Sequence, residues 1–138
     1  MSAPSLAVRD GRLPVTRKIN LALEILWTYG RVRRELRRRT LPEALERLRT
    51  PGSGTASPEE TARLARAVRR TLRLLPTDTR CLSQSLVLTA LLARRGVPST
   101  LVIGVSPGES FGAHAWVENH AGPLSPPFEA EFQRLVEL

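Results

Sequence analysis

The 138-residue chain carries a formal net charge of +8 and a single cysteine. Its length suits one domain with a modest core. One cysteine cannot form an internal disulfide, and the sequence contains neither an apolar run long enough to span a membrane nor a signal-peptide core. The composition therefore argues against a disulfide-rich secreted protein and a membrane protein, and it predicts a cytoplasmic location.

Arginine supplies 20 of the 21 basic residues. Such a charge suits nucleic acid or an acidic peptide. The few aromatic residues, however, are not interleaved with the arginines as they are on a base-stacking surface. We therefore expect no nucleic-acid partner and no membrane contact, and we interpret most arginines as solvated helix faces.

The first part of the chain has the pattern of amphipathic helices. Apolar residues recur at helical spacing between residues 16 and 39, where Gly30 is expected to weaken, kink or split the helix. Thr40 followed by Glu43 predicts a second, short helix, and residues 50–56 form a loop. We assign residues 1–56 to a helical N-terminal region.

A third helix begins at Ser57-Pro58-Glu59-Glu60, which combines an N-cap serine, a proline at the first helical position and an early glutamate. Its outer face is predicted to carry four arginines, Arg63, Arg66, Arg70 and Arg73.

The helix that follows, from Arg80 to Arg95, is apolar almost all round, which is typical of a buried helix. Cys81 stands in its first turn, where free N–H groups and the helix dipole favour a thiolate. Gly96 and Pro98 end the helix. The simpler interpretation of a lone cysteine is a buried, small hydrophobic residue.

A β pattern follows Gly96. Residues 100–105 and 113–118 predict two strands, and a third, edge strand is expected near residues 128–132. Alternation places His114, Trp116 and Glu118 on one face of the second strand. Helices followed by a small antiparallel sheet predict an α+β fold. Residues 57–138 form its core, in a chain that is a single domain overall.

Cys81 and His114 are 33 residues apart, but they would meet if the strand with the histidine packed on the cysteine helix. An imidazole that accepts the thiol proton gives the thiolate–imidazolium pair of an activated nucleophile, and a third polar group would orient the imidazole. Cys81, His114 and His120 lack a metal-ligand spacing. We therefore predict no metal and no other cofactor.

Four segments between about residues 65 and 122 carry the most specific pattern in the chain. They are Arg80-Cys81-Leu82-x-x-Ser85-Leu86, Leu91-Leu92-x-Arg94-Arg95-Gly96-Val97-Pro98, Leu101-x-Ile103-Gly104-Val105 and Phe111-x-Ala113-His114-Ala115-Trp116-Val117-Glu118. Together they resemble the lasso-peptide leader peptidases, the transglutaminase-like cysteine proteases of lasso-peptide (microcin-type) biosynthesis.

The resemblance implies that a cysteine-bearing helix packs on an antiparallel sheet, with Cys81 as the nucleophile and His114 as the general base and later acid. The family's third catalytic residue is an acid about a dozen positions past the histidine. Here that place is Leu124-Ser125-Pro126, which has no carboxylate. We predict that Glu129 takes the role; Glu131, Ser125 or a backbone carbonyl are the alternatives.

The reaction implied by the resemblance removes the leader from a ribosomally made lasso-peptide precursor by hydrolysis of one peptide bond. Because a fused leader-recognition domain would not fit before residue 57, the expected partners are the precursor's leader, a separate leader-recognition protein and the ATP-consuming cyclase that acts next. The arginine-rich helix face and a Trp27/Tyr29 patch are the candidate docking surfaces. Two other functions stay open, a transglutaminase-like acyltransferase and a non-catalytic basic binding module in which Cys81 is structural.

Overall fold

The computed structural model describes residues 15–49, 52, 54, 56–74, 80–106, 112–119, 122–124 and 133–138. Four helices precede four strands in this part of the chain. In order they are α1 (Val15–Arg38), α2 (Leu41–Leu48), α3 (Pro58–Leu72), α4 (Arg80–Arg94), β1 (Thr100–Ser106), β2 (Gly112–Asn119), β3 (Gly122–Pro123) and β4 (Gln133–Glu137). The predicted α+β class is confirmed.

The helix starts follow the signals in the sequence. The Ser57 hydroxyl accepts a hydrogen bond from the Glu60 backbone N–H at 3.1 Å, and the Glu43 carboxylate accepts one from the Thr40 N–H at 3.4 Å. Gly30 does not split α1, which is continuous over 24 residues. Its inner face is held by buried side chains on both sides of the glycine, which offsets the low helix propensity of that residue.

Helix α4 lies at the centre of the fold. It contacts α1, α2 and α3, and among the described helices it is the one that packs on the sheet, against β2 and β1. Its middle is buried, with Leu86, Val87, Leu91 and Leu92 all fully inaccessible to solvent. The burial predicted from its all-round apolar surface is confirmed, because the helix has partners on every side.

The C-terminal end of α4 closes in a Schellman motif. The Val97 N–H donates to the Leu92 carbonyl at 2.9 Å and the Gly96 N–H to the Ala93 carbonyl at 3.0 Å, while Gly96 adopts a φ of 72°. The Gly52 N–H donates to the same Ala93 carbonyl at 3.0 Å. A Cβ on Gly52 would lie 1.7 Å from the Arg94 carbonyl oxygen. The backbone of this loop can therefore approach the helix end so closely only because residue 52 has no side chain.

The strands form one antiparallel sheet in the order β3-β2-β1-β4. In the β1–β2 register His114 lies opposite Gly104 and Trp116 opposite Val102. The edge strand predicted at 128–132 falls outside the described residues. The two edge strands that the structure describes are the short β3 and β4, which begins at residue 133.

One hydrophobic cluster joins both halves of the described chain, with members in every helix and in β1 and β2. The division at residue 57 stays a prediction. The described helices include none whose length and apolar character would allow it to cross a membrane. The cytoplasmic location also stays a prediction.

Candidate active site

Cys81 lies in the first turn of α4 and is half-buried. Backbone N–H groups in the first turn of a helix have no partner within the helix, and the dipole makes this end positive. Cys81 therefore lies at the positive end of the helix, where a negative charge formed on a substrate beside it is electrostatically favoured.

His114 lies on β2, the strand that packs against α4, and is half-buried. Cys81 and His114 line the same pocket, whose volume is about 180 Å³. Its other lining residues come from α3, α4 and β2, and most are apolar: Ala65, Val68, Arg69, Gln84, Ser85, Leu88 and Ala115. The fold thus brings together the two side chains that the sequence pairs over 33 positions.

Ser85 joins the cysteine helix to the histidine strand. Its hydroxyl donates to the Ala115 carbonyl at 3.1 Å in a buried setting, one residue beyond His114 and one helical turn beyond Cys81. No structural role is predicted for this serine from the sequence pattern. The sequence feature that could have indicated this role is a hydroxyl group on a helix that is otherwise apolar. A buried O–H group needs a hydrogen-bond acceptor, which here is the Ala115 carbonyl.

A row of interacting side chains runs along the face of β2 that carries His114. The rings of His114 and Trp116 stack with centroids 6.0 Å apart, and the Trp116 indole N–H donates to a Glu118 carboxylate oxygen at 2.9 Å. Arg134 on β4 donates to both oxygens of Glu118, at 2.6 and 3.0 Å, and to Glu137. Hydrogen bonds to the carboxylates of Glu137 and Glu118 raise the pKa of Arg134. Glu118 therefore orients Trp116, and Trp116 in turn limits the movement of the His114 ring.

The comparisons with known proteins give one match. A protein-family model described as the Transglutaminase-like superfamily matches residues 20–136. The chain belongs to the transglutaminase-like superfamily. The match includes α1 and α2, so it begins well before residue 65, where the resemblance seen in the sequence starts. Searches of the curated proteins and of the solved structures returned no match.

The transglutaminase-like superfamily typically consists of cysteine proteases and acyltransferases. In both, a thiolate attacks a carbonyl and the acyl group passes through a thioester. The half-buried thiol at a helix N-terminus, with an imidazole in the same pocket, provides the groups that this chemistry needs. The catalytic roles of Cys81 and His114 stay predictions.

The side chains predicted to orient His114 lie outside the part of the chain that the structure describes. Ser125, Glu129 and Glu131, the candidates for orienting His114, all lie outside the described residues, as does His120. Within the described ranges, His, Cys, Asp and Glu side chains form no group of three that could hold a metal ion.

Proposed function

We propose that this protein is a cysteine endopeptidase that removes the leader from a lasso-peptide precursor. The observation that carries the proposal is the shared pocket of Cys81 and His114 in a chain of the transglutaminase-like superfamily. The superfamily indicates the type of reaction. The segments around both residues also resemble the lasso-peptide leader peptidases, and this resemblance indicates the substrate.

The reaction begins when His114 accepts the thiol proton and the Cys81 thiolate attacks the scissile carbonyl carbon. The resulting oxyanion receives a hydrogen bond from the Cys81 backbone N–H, which has no acceptor within α4 itself. His114 then protonates the leaving amine, and the C–N bond breaks. Water, deprotonated by His114, hydrolyses the thioester and releases the leader with a C-terminal carboxylate.

Incubation with a lasso-peptide precursor and a leader-recognition protein tests the proposal by mass spectrometry. We expect one cleavage, whose products sum to the precursor plus one water. Cys81→Ala and His114→Ala should each lower the rate by at least about a thousandfold, because the two groups act as one unit. An unchanged rate in purified Cys81→Ala would refute the mechanism, and circular dichroism checks that each variant is folded.

An acyltransferase would use the same thioester but a different acceptor, and the superfamily match supports this second candidate. The discriminating measurement adds a primary amine such as hydroxylamine or glycinamide to the reaction. If, at millimolar amine concentration, most of the released leader carries the amine at its C-terminus instead of a free carboxylate, acyl transfer is favoured. Free carboxylate as the main product favours the peptidase.

The orienting group is tested by two substitutions. If Glu129 accepts a hydrogen bond from the imidazole, Glu129→Gln should lower turnover without weakening precursor binding, since an amide cannot stabilise the imidazolium. If Glu129→Gln is silent and Ser125→Ala lowers turnover, the serine takes this role instead. Glu131→Gln serves as the control, and a selective loss there would assign the role to Glu131.

We also propose that a separate leader-recognition protein docks on the outer face of α1. This face has an apolar part and a basic part. The apolar part consists of exposed side chains at helical spacing, Val15, Ile19, Leu23, Leu26 and Trp27. A contiguous exposed apolar surface of this kind is typical of a protein interface. Tyr29 is half-buried against the core, so of the pair nominated from the sequence only Trp27 is exposed.

The charges on α1 indicate what the partner carries. Its two glutamates are engaged, Glu24 with Arg94 and Arg95 and Glu35 with Arg39. The basic part of the outer face therefore keeps its positive charge, and its arginines line a shallow pocket with Tyr29 and Gly30: Arg33, Arg34, Arg37 and Arg38. A membrane helix would need its charges beside the apolar residues rather than beyond them along the axis. A protein with an apolar patch next to carboxylates fits this face.

Leu23→Asp should remove most of the rate increase that the leader-recognition protein gives, while leaving the slow cleavage without it unchanged. The matched control is Leu135→Asp, because Leu135 is about equally exposed (62% against 59%) but lies on β4. Equal stimulation of both variants would overturn the docking surface. Self-association of the wild type that Leu23→Asp abolishes would assign the face to a second copy instead.

A further inference from the structure

Three arginines of α3, together with Arg73 directly after its last residue, line a second pocket next to the candidate active site. Its volume is about 480 Å³, and its lining residues are Arg66, Arg69, Arg70, Arg73 and Gln84. We call it the arginine pocket. Helical spacing predicts that Arg63 shares a face with Arg66, Arg70 and Arg73, but Arg63 lines a different pocket together with Glu24 and Glu60.

The arginine pocket is next to the pocket of Cys81 and His114. Arg69 and Gln84 line both of them, so the two spaces meet at these two side chains. A chain bound with its reacting carbonyl at Cys81 would therefore extend over Arg69 and Gln84 into the arginine pocket.

The charge of the arginine pocket is not neutralised in the described part of the chain. No ion pair there involves Arg66, Arg69, Arg70 or Arg73, whereas other described arginines, such as Arg94, Arg95 and Arg134, bind carboxylates. The two glutamates of α3 lie in its first turn, at the opposite end of the helix. Four guanidinium groups that repel one another around one space favour an anion between them.

We propose that the arginine pocket binds carboxylates of the peptide substrate, close to the scissile bond. This inference rests on the proposed peptidase function and adds a substrate preference to it. Arginine binds carboxylate groups through paired hydrogen bonds, so acidic side chains on one side of the scissile bond would fix the substrate's register. A nucleic acid fits less well, since the described lining residues include no aromatic side chain on which bases could stack.

The first experiment measures how fast Cys81 is alkylated by iodoacetate, which is anionic, and by iodoacetamide, which is neutral. In both reactions the thiolate sulfur bonds to the methylene carbon and iodide leaves. We call the rate with iodoacetate divided by the rate with iodoacetamide the charge ratio. The intrinsic reactivity of the thiolate cancels in this ratio, which therefore reports the local electrostatic potential. Because Cys81 is the one cysteine of the chain, the mass of the intact protein records the reaction.

The ratio should exceed that of N-acetylcysteine, and Arg69→Gln should lower it about twofold, as expected for one charge at roughly 8 Å in a water-like medium. Arg69→Lys keeps the charge and should keep most of the ratio. Arg33→Gln, on the outer face of α1, is the matched control and should leave it unchanged. A ratio unaffected by Arg69→Gln, or lowered equally by Arg33→Gln, would overturn the proposal. This measurement does not require the protein to cleave anything.

The second experiment uses folded Cys81→Ala protein and fluorescein-labelled eight-residue peptides, with binding followed by anisotropy. A peptide of alternating Gly and Glu should bind at least fivefold more tightly than one of alternating Gly and Gln. Adding Arg70→Gln and Arg73→Gln should remove the difference, and raising the salt concentration should weaken it. Equal binding of the two peptides would overturn the proposal, as would tighter binding of a labelled eight-nucleotide single strand.

The two proposals can fail separately. If the charge ratio and the peptide preference hold but no precursor is cleaved, the arginine pocket is an anion site and the peptidase assignment is wrong. If precursor is cleaved but substitution of its acidic residues near the scissile bond leaves kcat/KM unchanged, the peptidase holds and the substrate preference is refuted.

Discussion

The two ends of α4 are built in opposite ways. At the C-terminal end, backbone hydrogen bonds from Gly52, Gly96 and Val97 satisfy the last carbonyls, and Arg94 and Arg95 bind Glu24 on α1. At the N-terminal end, Cys81 faces a pocket and the arginines next to it have no described counter-ion. One end of the helix is thus fixed to its neighbours, whereas the described residues at the other end line a pocket.

The largest effect on stability should come from Gly52→Ala, which breaks the fixed end. The new Cβ would overlap the Arg94 carbonyl, so the loop must move and lose its hydrogen bond to Ala93. We expect the free energy of unfolding in urea to fall by about 2–3 kcal/mol. Activity per folded molecule should stay near that of the wild type. A loss of activity without a loss of stability would show that this end belongs to the catalytic apparatus.

Ser85→Ala tests whether the hydrogen bond between α4 and β2 positions His114, at the end of α4 that lines the pocket. Loss of the bond to Ala115 should lower stability by about 1 kcal/mol and should reduce kcat with little change in KM, because the strand that carries His114 loses its anchor. Thr89→Val is the matched control, since Thr89 donates to the Ser85 carbonyl within α4. Equal losses of kcat in both variants would argue against a special role for Ser85.

Glu24→Gln should have a small, salt-dependent effect at the fixed end. The partly exposed ion pairs with Arg94 and Arg95 should contribute about 0.5 kcal/mol, and the difference from wild type should shrink as salt is added. Glu35→Gln, which removes a pair within α1 alone, is the control and should cost less than Glu24→Gln. If Glu35→Gln lost more stability than Glu24→Gln, the ion pairs of Glu24 with Arg94 and Arg95 would not be what holds the C-terminal end of α4 to α1.

The smallest effect, of opposite sign, is expected from Gly30→Ala. Gly30 lies on the exposed side of α1, and a Cβ there would meet no atom within 4 Å. Alanine should therefore stabilise the protein by about 0.5–1 kcal/mol, through helix propensity and a less disordered unfolded chain. A lower thermal midpoint for this variant would contradict the expectation and point to a contact at Gly30.

The sequence predicted the elements better than it predicted their surroundings. The apolar pattern of α4 indicated its burial, and alternation along β2 placed His114, Trp116 and Glu118 together, because both signals are local and periodic. The adjacency of Arg69 to the Cys81 pocket and the separation of Arg63 from the other arginines depend on how α3 packs against both α1 and α4. Helical spacing predicts which residues share a face of the helix, but it does not predict which other element packs against that face.

The Schellman closure of α4 also has a consequence for amide hydrogen exchange. Amides near Leu91 and Leu92 should exchange only on global unfolding, because their helical turn is buried and its end is doubly hydrogen-bonded. Protection should fall steadily toward the first turn, where Cys81 is half-buried. The helix would then fray from the thiol inward, so that a bulky chain can reach Cys81 through a local opening while the rest of the domain keeps its structure.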